Sequence, residues 1–502
     1  MPTQTNLEST FATGHLNTDL KARSLRGGLF TITSQGSQFV LSTISTVVLA
    51  RLLVPADFGL VAMVTAITGL GQAFADLGLS EATIQRESIS HEQVSTLFWI
   101  NVGIGLALTL VTAALAPVMA WFYRDARLQP IAIVSSLTFL IGGLRVQHDA
   151  LLRRQMRFLS LGIRDVLASV LGVAMAVTLA WRGVGYWAIV ALPLTMNLTV
   201  MLLSWAMLRW IPSLPRRDAE VGSMIAFGGN VATSYLLINL LRSTDTILIG
   251  RYWGAGLLGL YSRAYNLMML PWKQIAIPAG NVAIPAFSRL QDDPERFARY
   301  FLRTINLMTW ITAPIFGFLF VAARPVIVLV LGKQWIDAAP VFKILGIAAL
   351  GQLVWGSIIW LFISRGQSAR LLKLTLITSP VLVASYAIGL PFGIKGVAFT
   401  GSVVLIAILP LMVKMAFYGT QLTFGGLGRA MLYPTSVSLL GILFGELALG
   451  LIAPQRLYSQ FSLTALAFGA PFALAIFIPS LREEVVSLKK LFQELRSSRQ
   501  TV

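Results

Sequence analysis

Long apolar runs separated by short polar breaks recur from near residue 27 to residue 480. Each is close to the ~20 residues that a helix needs to cross a ~30 Å hydrocarbon core. The pattern predicts helices over 27–50, 58–79, 94–120, 129–148, 158–181, 184–207, 223–250, 257–285, 299–322, 338–363, 371–390, 394–417, 430–452 and 458–479. The expected fold class is therefore all-α and polytopic, with about fourteen transmembrane helices. An even number returns both termini to one side of the membrane.

The first of these runs is anomalous. In TITSQGSQFVLSTIST, residues 31–46, ten of sixteen side chains can hydrogen-bond and none is charged. At 100° per residue Thr31, Ser34, Gln35, Gln38, Ser42 and Ser45 fall on one stripe, with Ile32, Phe39, Val40, Ile44 and Val47 on the rest. Such a stripe faces a neighbouring helix or a wet cavity rather than lipid. The two glutamines favour the cavity; Ser and Thr packing between helices is the plainer alternative.

The chain also repeats itself weakly. LARLLVPADFGL and IGRYWGAGLLGL pair Arg51 with Arg251 and Gly59 with Gly259 at an offset of 200. In order, APVMAWFY then matches RPVIVLVL, Pro130 matches Pro340 and Gly185 matches Gly396. Ordered matches across six helices predict two homologous six-helix lobes with two helices appended. The expected divisions are a cytoplasmic segment 1–25, lobes 26–220 and 221–420, a helix pair 421–480 and a tail 481–502. Repeated Leu, Ala and Gly composition is the competing source of such matches. Parallel repeats about an axis along the membrane normal are one plan of secondary transporters.

Composition changes little in this picture. With 56% hydrophobic and 12% charged residues and a mean hydropathy of +0.75, the chain leaves no room for a soluble domain. The first 20 residues lack the basic-then-apolar order of a cleavable signal, so the first apolar segment is expected to stay as a helix. The absence of cysteine excludes disulfides and thiol chemistry. A net charge of +18 invites a nucleic-acid reading, but topology accounts for it. A cytoplasmic N-terminus puts most Lys and Arg on cytoplasmic segments, among them Arg153, Arg154, Arg157, Arg216, Arg217, Arg296, Arg299 and Lys489. Nucleic acid is not an expected partner.

Arg242, Arg263, Lys273 and Lys343 fall inside predicted helices. Each costs about 2.5 to 3.5 kcal/mol at the centre of a membrane helix, so function or pairing must hold them there. The offset of 200 sets Arg242 at the place of Ser42 and Asp245 at that of Ser45, on the same polar face. Both helices are then expected to line one central cavity, although Arg242 and Asp245 can equally satisfy each other locally. Asp76 and Asp245 are the candidates for coupling to an ion. Gln35, Gln38, Gln72, Asn230, Asn239 and Asn266 supply amides, with Trp272, suited to sugar hydroxyls and rings. Pro271, Pro278 and Pro285 predict a bent eighth helix. QDDPER at 291–296 reads as a helix start rather than a metal site, and His15, His91 and His148 lack metal-ligand spacing. Leu481, Val485, Leu488, Leu491 and Leu495 predict an amphipathic interfacial helix in the tail.

The junctions LARLLVPADFGLVAM, FADLGLSEATIQR, IGRYWGAGLLGLYSRAYNL and VLGKQWIDAAPVFKIL resemble the Wzx-type polysaccharide and oligosaccharide flippases of the multidrug/oligosaccharidyl-lipid/polysaccharide (MOP) transporter superfamily. That resemblance spans nearly the whole chain. It implies a bacterial inner-membrane transporter, not an enzyme. Such a transporter moves polyprenyl-diphosphate-linked oligosaccharide repeat units, as on undecaprenyl diphosphate, from the cytoplasmic to the periplasmic leaflet by alternating access. It implies no cofactor and no catalytic residue; membrane lipids and other polysaccharide assembly proteins are the expected partners. By position it implies Arg51, Arg251, Arg263 and Lys273 as cations for the diphosphate, to which membrane depth adds Arg242 and Lys343. A drug or organic-cation antiporter of the same superfamily and a non-transporting scaffold stay open as alternatives.

Overall fold

The computed structural model describes residues 20–72, 74, 78–86, 89–215, 243–452, 454 and 456–475. Predicted features at 216–242, the tail over 481–502, and Arg242, Asn230, Asn239 and Asp76 lie outside the described residues. No strand occurs among those described. The helices are α1 (Leu20–Leu52), α2 (Pro55–Gln72), α3 (Leu79–Gln85), α4 (His91–Tyr123), α5 (Leu128–Arg154), α6 (Phe158–Trp181), α7 (Trp187–Leu208), α8 (Thr244–Ser288), α9 (Pro294–Val321), α10 (Ala323–Val330), α11 (Ala338–Ser364), α12 (Ser368–Gly389), α13 (Gly393–Phe417), α14 (Phe424–Ile452) and α15 (Leu457–Ala475).

The starts follow local chemistry. Ser90 and Gln93 form a reciprocal capping box that opens α4. Asp293 accepts from the Arg296 amide with Pro294 at the first helical position of α9, so QDDPER is the helix start expected of it. Pro130 and Pro340 each fall in the first turn of their helix, where a missing N–H costs nothing.

Eight helices among the described residues are long and apolar enough to cross a membrane, or nine if the bent pair Ala338–Ala349 and Gly351–Ser364 is one span. One of the eight is the run Ser368–Phe417, which folds back on itself at Leu390–Phe392. There Thr400 donates to the Ser385 carbonyl at 2.7 Å, and a Cβ on Gly389 would lie 2.5 Å from the Gly396 oxygen. Absent from the eight are α1, α2 and α8. α1 and α8 hold the most polar of the predicted helices, and their composition drops below a clean spanning signal.

Three boundaries differ from the sequence pattern. The second predicted helix stops at Gln72, and a separate short helix, α3, follows at Leu79. The fourth runs on through the basic end to Arg154 instead of stopping at 148. The ends of the seventh and eighth run through one element, α8, broken at Gly254 with φ +75°.

The described chain divides into two compact units, Met1–Gly259 and Leu260–Val502. In the first, α4 packs on α5, α5 on α7, α6 on α7, and α1 on α6. In the second, α9 packs on α11, α11 on α13 and α12 on α13. The three pairings among the third to sixth predicted helices thus recur among the ninth to twelfth. Small residues set these distances, since packing in lipid relies on close backbone approach. A Cβ on Gly143 would lie 2.5 Å from the Asn101 oxygen and one on Gly105 would lie 2.6 Å from the Phe139 oxygen, so α4 and α5 cross in direct contact. The second unit buries Phe287, Phe297, Phe301 and Phe362 with Trp360 and Leu353.

The tightest crossing joins the two repeated junctions. A Cβ on Gly59 would sit 1.7 Å from the Ala255 oxygen, and one on Gly259 would sit 1.8 Å from the Pro55 oxygen. A shift of 200 carries one contact onto the other. Neither backbone can yield without the other, so Gly59→Ala and Gly259→Ala are each expected to cost about 3 kcal/mol or more. Gly36→Ala, where a Cβ meets nothing within 4 Å, is expected to be neutral or slightly stabilising. Thermal melting of the purified variants in detergent reads the difference.

Candidate functional site

A cavity of about 640 Å³ opens in the first unit. α5 contributes Ser135, Thr138, Gly142, Arg145, Asp149 and Arg153, at spacings of three and four that define one face of the helix. α2 faces it with Thr65, Thr68 and Gln72, α3 with Ser80 and Glu81, and α7 with Pro193 and Asn197. An otherwise apolar bundle thus presents hydroxyl, amide, guanidinium and carboxylate groups to one hollow.

Charge there is partly tied down. Asp149 is ion-paired to Arg164 and accepts from Ser204 Oγ at 2.8 Å. Arg164, whose side chain is 4% exposed, also grips Asp165 at 2.7 Å. Arg145 approaches the other Asp149 oxygen only to 4.0 Å, and its Nε is buried with no hydrogen-bond partner among the described residues. With the Asp149 charge already met by Arg164, Arg145 and Arg153 leave the α5 wall with a cationic surplus.

The wall opposite is pinned from α5. Arg154 Nη1 donates to the carbonyls of Thr83 at 3.0 Å and Ile84 at 3.4 Å and to that of Arg86, covering the exposed end of α3. Thr83 Oγ1 donates to Gln147 Oε1 at 2.8 Å. Gly78, at φ +68°, supplies the turn that leads into α3.

Of the residues singled out in the sequence, Gln72 lines this cavity. Gln35 is exposed and Gln38 half-buried on α1, and Arg51 is exposed at its last turn. Three hydroxyls of the polar stretch turn back on their own helix: Ser37 to the Thr33 carbonyl, Thr43 to Phe39 and Thr46 to Ser42. Arg251 is half-buried, its guanidinium 5.7 Å from the Phe122 ring and 5.8 Å from Tyr252. On α8, Arg263 is half-buried, Asn266 and Lys273 are exposed, and Asp245 is buried with Oδ1 accepting from the Thr246 amide at 2.6 Å. Lys343 donates to Glu446 at 2.6 Å and lies 4.9 Å from the Phe320 ring, an ion pair rather than a lone cation.

Sequence reading missed Asp149 and the cavity role of Arg153 because it ended the helix at 148 and assigned the basic cluster to a loop, and it passed over Arg145 although the predicted helix 129–148 contained it. The signal was present as the polar spacing 135, 138, 142, 145, 149, 153.

A family described as polysaccharide biosynthesis protein matches residues 48–340. The lipopolysaccharide biosynthesis protein WzxC of Escherichia coli (strain K12) is 25% identical over 360 residues, 70% of this chain and 71% of that protein. The succinoglycan biosynthesis transport protein ExoT of Rhizobium meliloti (strain 1021) is 25% identical over 320 residues, 64% and 65% of the two. Among solved structures, the lipid II flippase MurJ in an inward closed conformation aligns with a TM-score of 0.68 at 13% identity, covering 89% of this chain and 98% of that one. An inward-facing MATE family multidrug transporter of the MOP superfamily aligns at 0.58 and 15% identity, over 80% and 95%. At these identities the structural likeness establishes a shared fold.

Removing Arg164 strands two carboxylates beside the cavity. Arg164→Ala is expected to destabilise the protein by about 3 kcal/mol, and adding Asp149→Asn should recover part of that loss. Denaturation midpoints of the single and double variants in detergent measure both steps.

Proposed function

The chain belongs to the polysaccharide biosynthesis protein family, and we propose that within it this multi-pass membrane protein is a flippase for polyprenyl-diphosphate-linked oligosaccharides. It moves them from the cytoplasmic to the periplasmic leaflet of a bacterial inner membrane by alternating access, with both termini cytoplasmic. The observation that carries the proposal is the polar, cation-rich face of α5 turned into a 640 Å³ hollow within an apolar bundle. Arg145 and Arg153 suit the diphosphate through charge-assisted hydrogen bonds, while Gln72, Asn197, Ser135 and Thr138 suit sugar hydroxyls. The hollow falls within the ~300 to 1,000 Å³ of small-ligand sites, so it takes a headgroup while the polyprenyl tail stays in lipid. The names and functions of the relatives support the same substrate class. The recurrence of the same helix pairings in both units supports a duplicated transporter lobe. Arg51, Arg242, Arg251, Arg263 and Lys273 are proposed as further cations along the path, with Asp76 or Asp245 as sites of ion coupling.

One feature favours a second reading. Glu81 faces the cavity from α3, and a carboxylate is what an organic-cation antiporter requires.

In proteoliposomes supplied with a diphosphate-linked oligosaccharide, Arg145→Ala and Arg153→Ala are each expected to slow translocation about tenfold, the loss of one hydrogen bond to a charged group. Arg299→Ala, an exposed cation on α9 ion-paired to Glu295, should leave the rate unchanged. Uptake of a small organic cation, abolished by Glu81→Gln and with no turnover of the lipid-linked sugar, would establish the antiporter instead.

A further inference from the structure

A second, smaller cavity of about 220 Å³ lies in the second unit, where the chain turns between α8 and α9, α11 and α12, and α13 and α14. All six helix ends meet there, and Pro294, Ser364, Ser368, Phe417 and Phe424 are ends of the apolar spans. The cavity therefore sits at the depth of lipid headgroups. Among the described residues its polar lining is Arg365 with Gln291, Gln367, Thr420 and Gln421, and no carboxylate lines it.

The hydrogen-bond account of this lining leaves donors over. Arg365 Nη2 donates to the Gly419 carbonyl at 3.0 Å and ties down the turn after α13. Its Nη1 is buried and has no partner among the described residues. Leaving such a charged donor unmet is costly. Gln367 Oε1 accepts from Arg370 at 3.3 Å, which leaves the amide nitrogen of Gln367 as its donor. The Thr420 hydroxyl is already used, donating to Phe417 and accepting from Leu422. Burial and the positive charge of Arg370 together hold Arg365 below its ordinary pKa, as expected of a cation that lacks a counter-charge.

The first unit handles an arginine at the matching helix end differently. Arg154, closing α5, places its Nη1 on the three carbonyls at the end of α3. Arg365, just past α11, has the same opportunity to be structural and meets one carbonyl with it, through Nη2. The geometry points to a phosphate-binding site in the α9, α11 and α13 turns, with Arg365 Nη1 and the Gln367 amide as its donors. The volume is below that of sites for drug-sized ligands and fits a single phosphate group. At headgroup depth that group comes either from an anionic phospholipid or from a free phosphate.

Purified full-length protein in neutral maltoside detergent tests this by melting with inorganic phosphate, short-chain phosphatidylglycerol, or neither. The expected result is a rise in Tm of about 3 °C or more with at least one of the two. A rise with phosphatidylglycerol alone assigns the site to lipid, and an equal rise with inorganic phosphate assigns it to free phosphate. Arg365→Gln should abolish the rise. Gln367→Glu, which leaves the Arg365 contact to Gly419 in place and adds a carboxylate to the cavity lining, should abolish it too and covers the case in which Arg365→Gln fails to fold. No rise with either compound, or equal rises in the wild type and Gln367→Glu, overturns the site.

Discussion

Inside a bilayer every polar group must find a protein partner or face water, and this requirement organises the chain. Hydroxyls meet it most simply by bonding the carbonyl one turn back, as Thr65, Thr309, Thr312 and Ser438 do. Charged groups meet it in pairs, Arg164 with Asp149 and Asp165, and Lys343 with Glu446. After these local solutions some polarity is left over, and part of it lies on the cavity face of α5 and at Arg365. The candidate sites are thus the residue of a satisfaction problem.

Positioning that remainder requires a scaffold that does not depend on hydrophobic burial between helices, since lipid tails are as apolar as leucine. Glycine supplies it by letting backbones touch. The reciprocal contacts of Gly105 and Gly143 fix α4 against α5, and so fix the face of α5 that meets the cavity. Arg154 and Gln147 then hold α3 across from it. Cavity shape follows from contacts at backbone distance, where small changes are poorly tolerated.

Periodicity made the fold class, most spans and the family legible, because a run of apolar residues has few other uses and the junction motifs are specific. The break at Gly254 was legible as the gap between two predicted helices. The division of the second helix into α2 and α3 was not, since the run gives no sign of the turn into α3 at which Gly78 takes φ +68°. Gln72 was the one predicted site residue that lines the described cavity. The others were chosen by depth and charge, and depth does not reveal whether a cation meets an acid 103 positions away, as Lys343 meets Glu446. The Asp149 network spans 15 and 55 positions, beyond any local spacing rule. The polar face of α5 was readable only once the helix continued through its basic end.

Comparison of Arg154 with Arg365 gives the same logic at finer scale. Both stand at the end of the second helix of the first pair in their unit's shared pairing pattern, α5 and α11, and both donate to backbone carbonyls. Arg154 meets three carbonyls at the end of α3. The second unit has no short helix at that place among the described residues, so Arg365 meets one carbonyl and keeps a buried donor. Where the second unit lacks the short helix among the described residues, its arginine keeps a donor that Arg154 spends on carbonyls, and such a cation is complementary to phosphate. Divergence between the two units, rather than either unit alone, is what singles out that arginine.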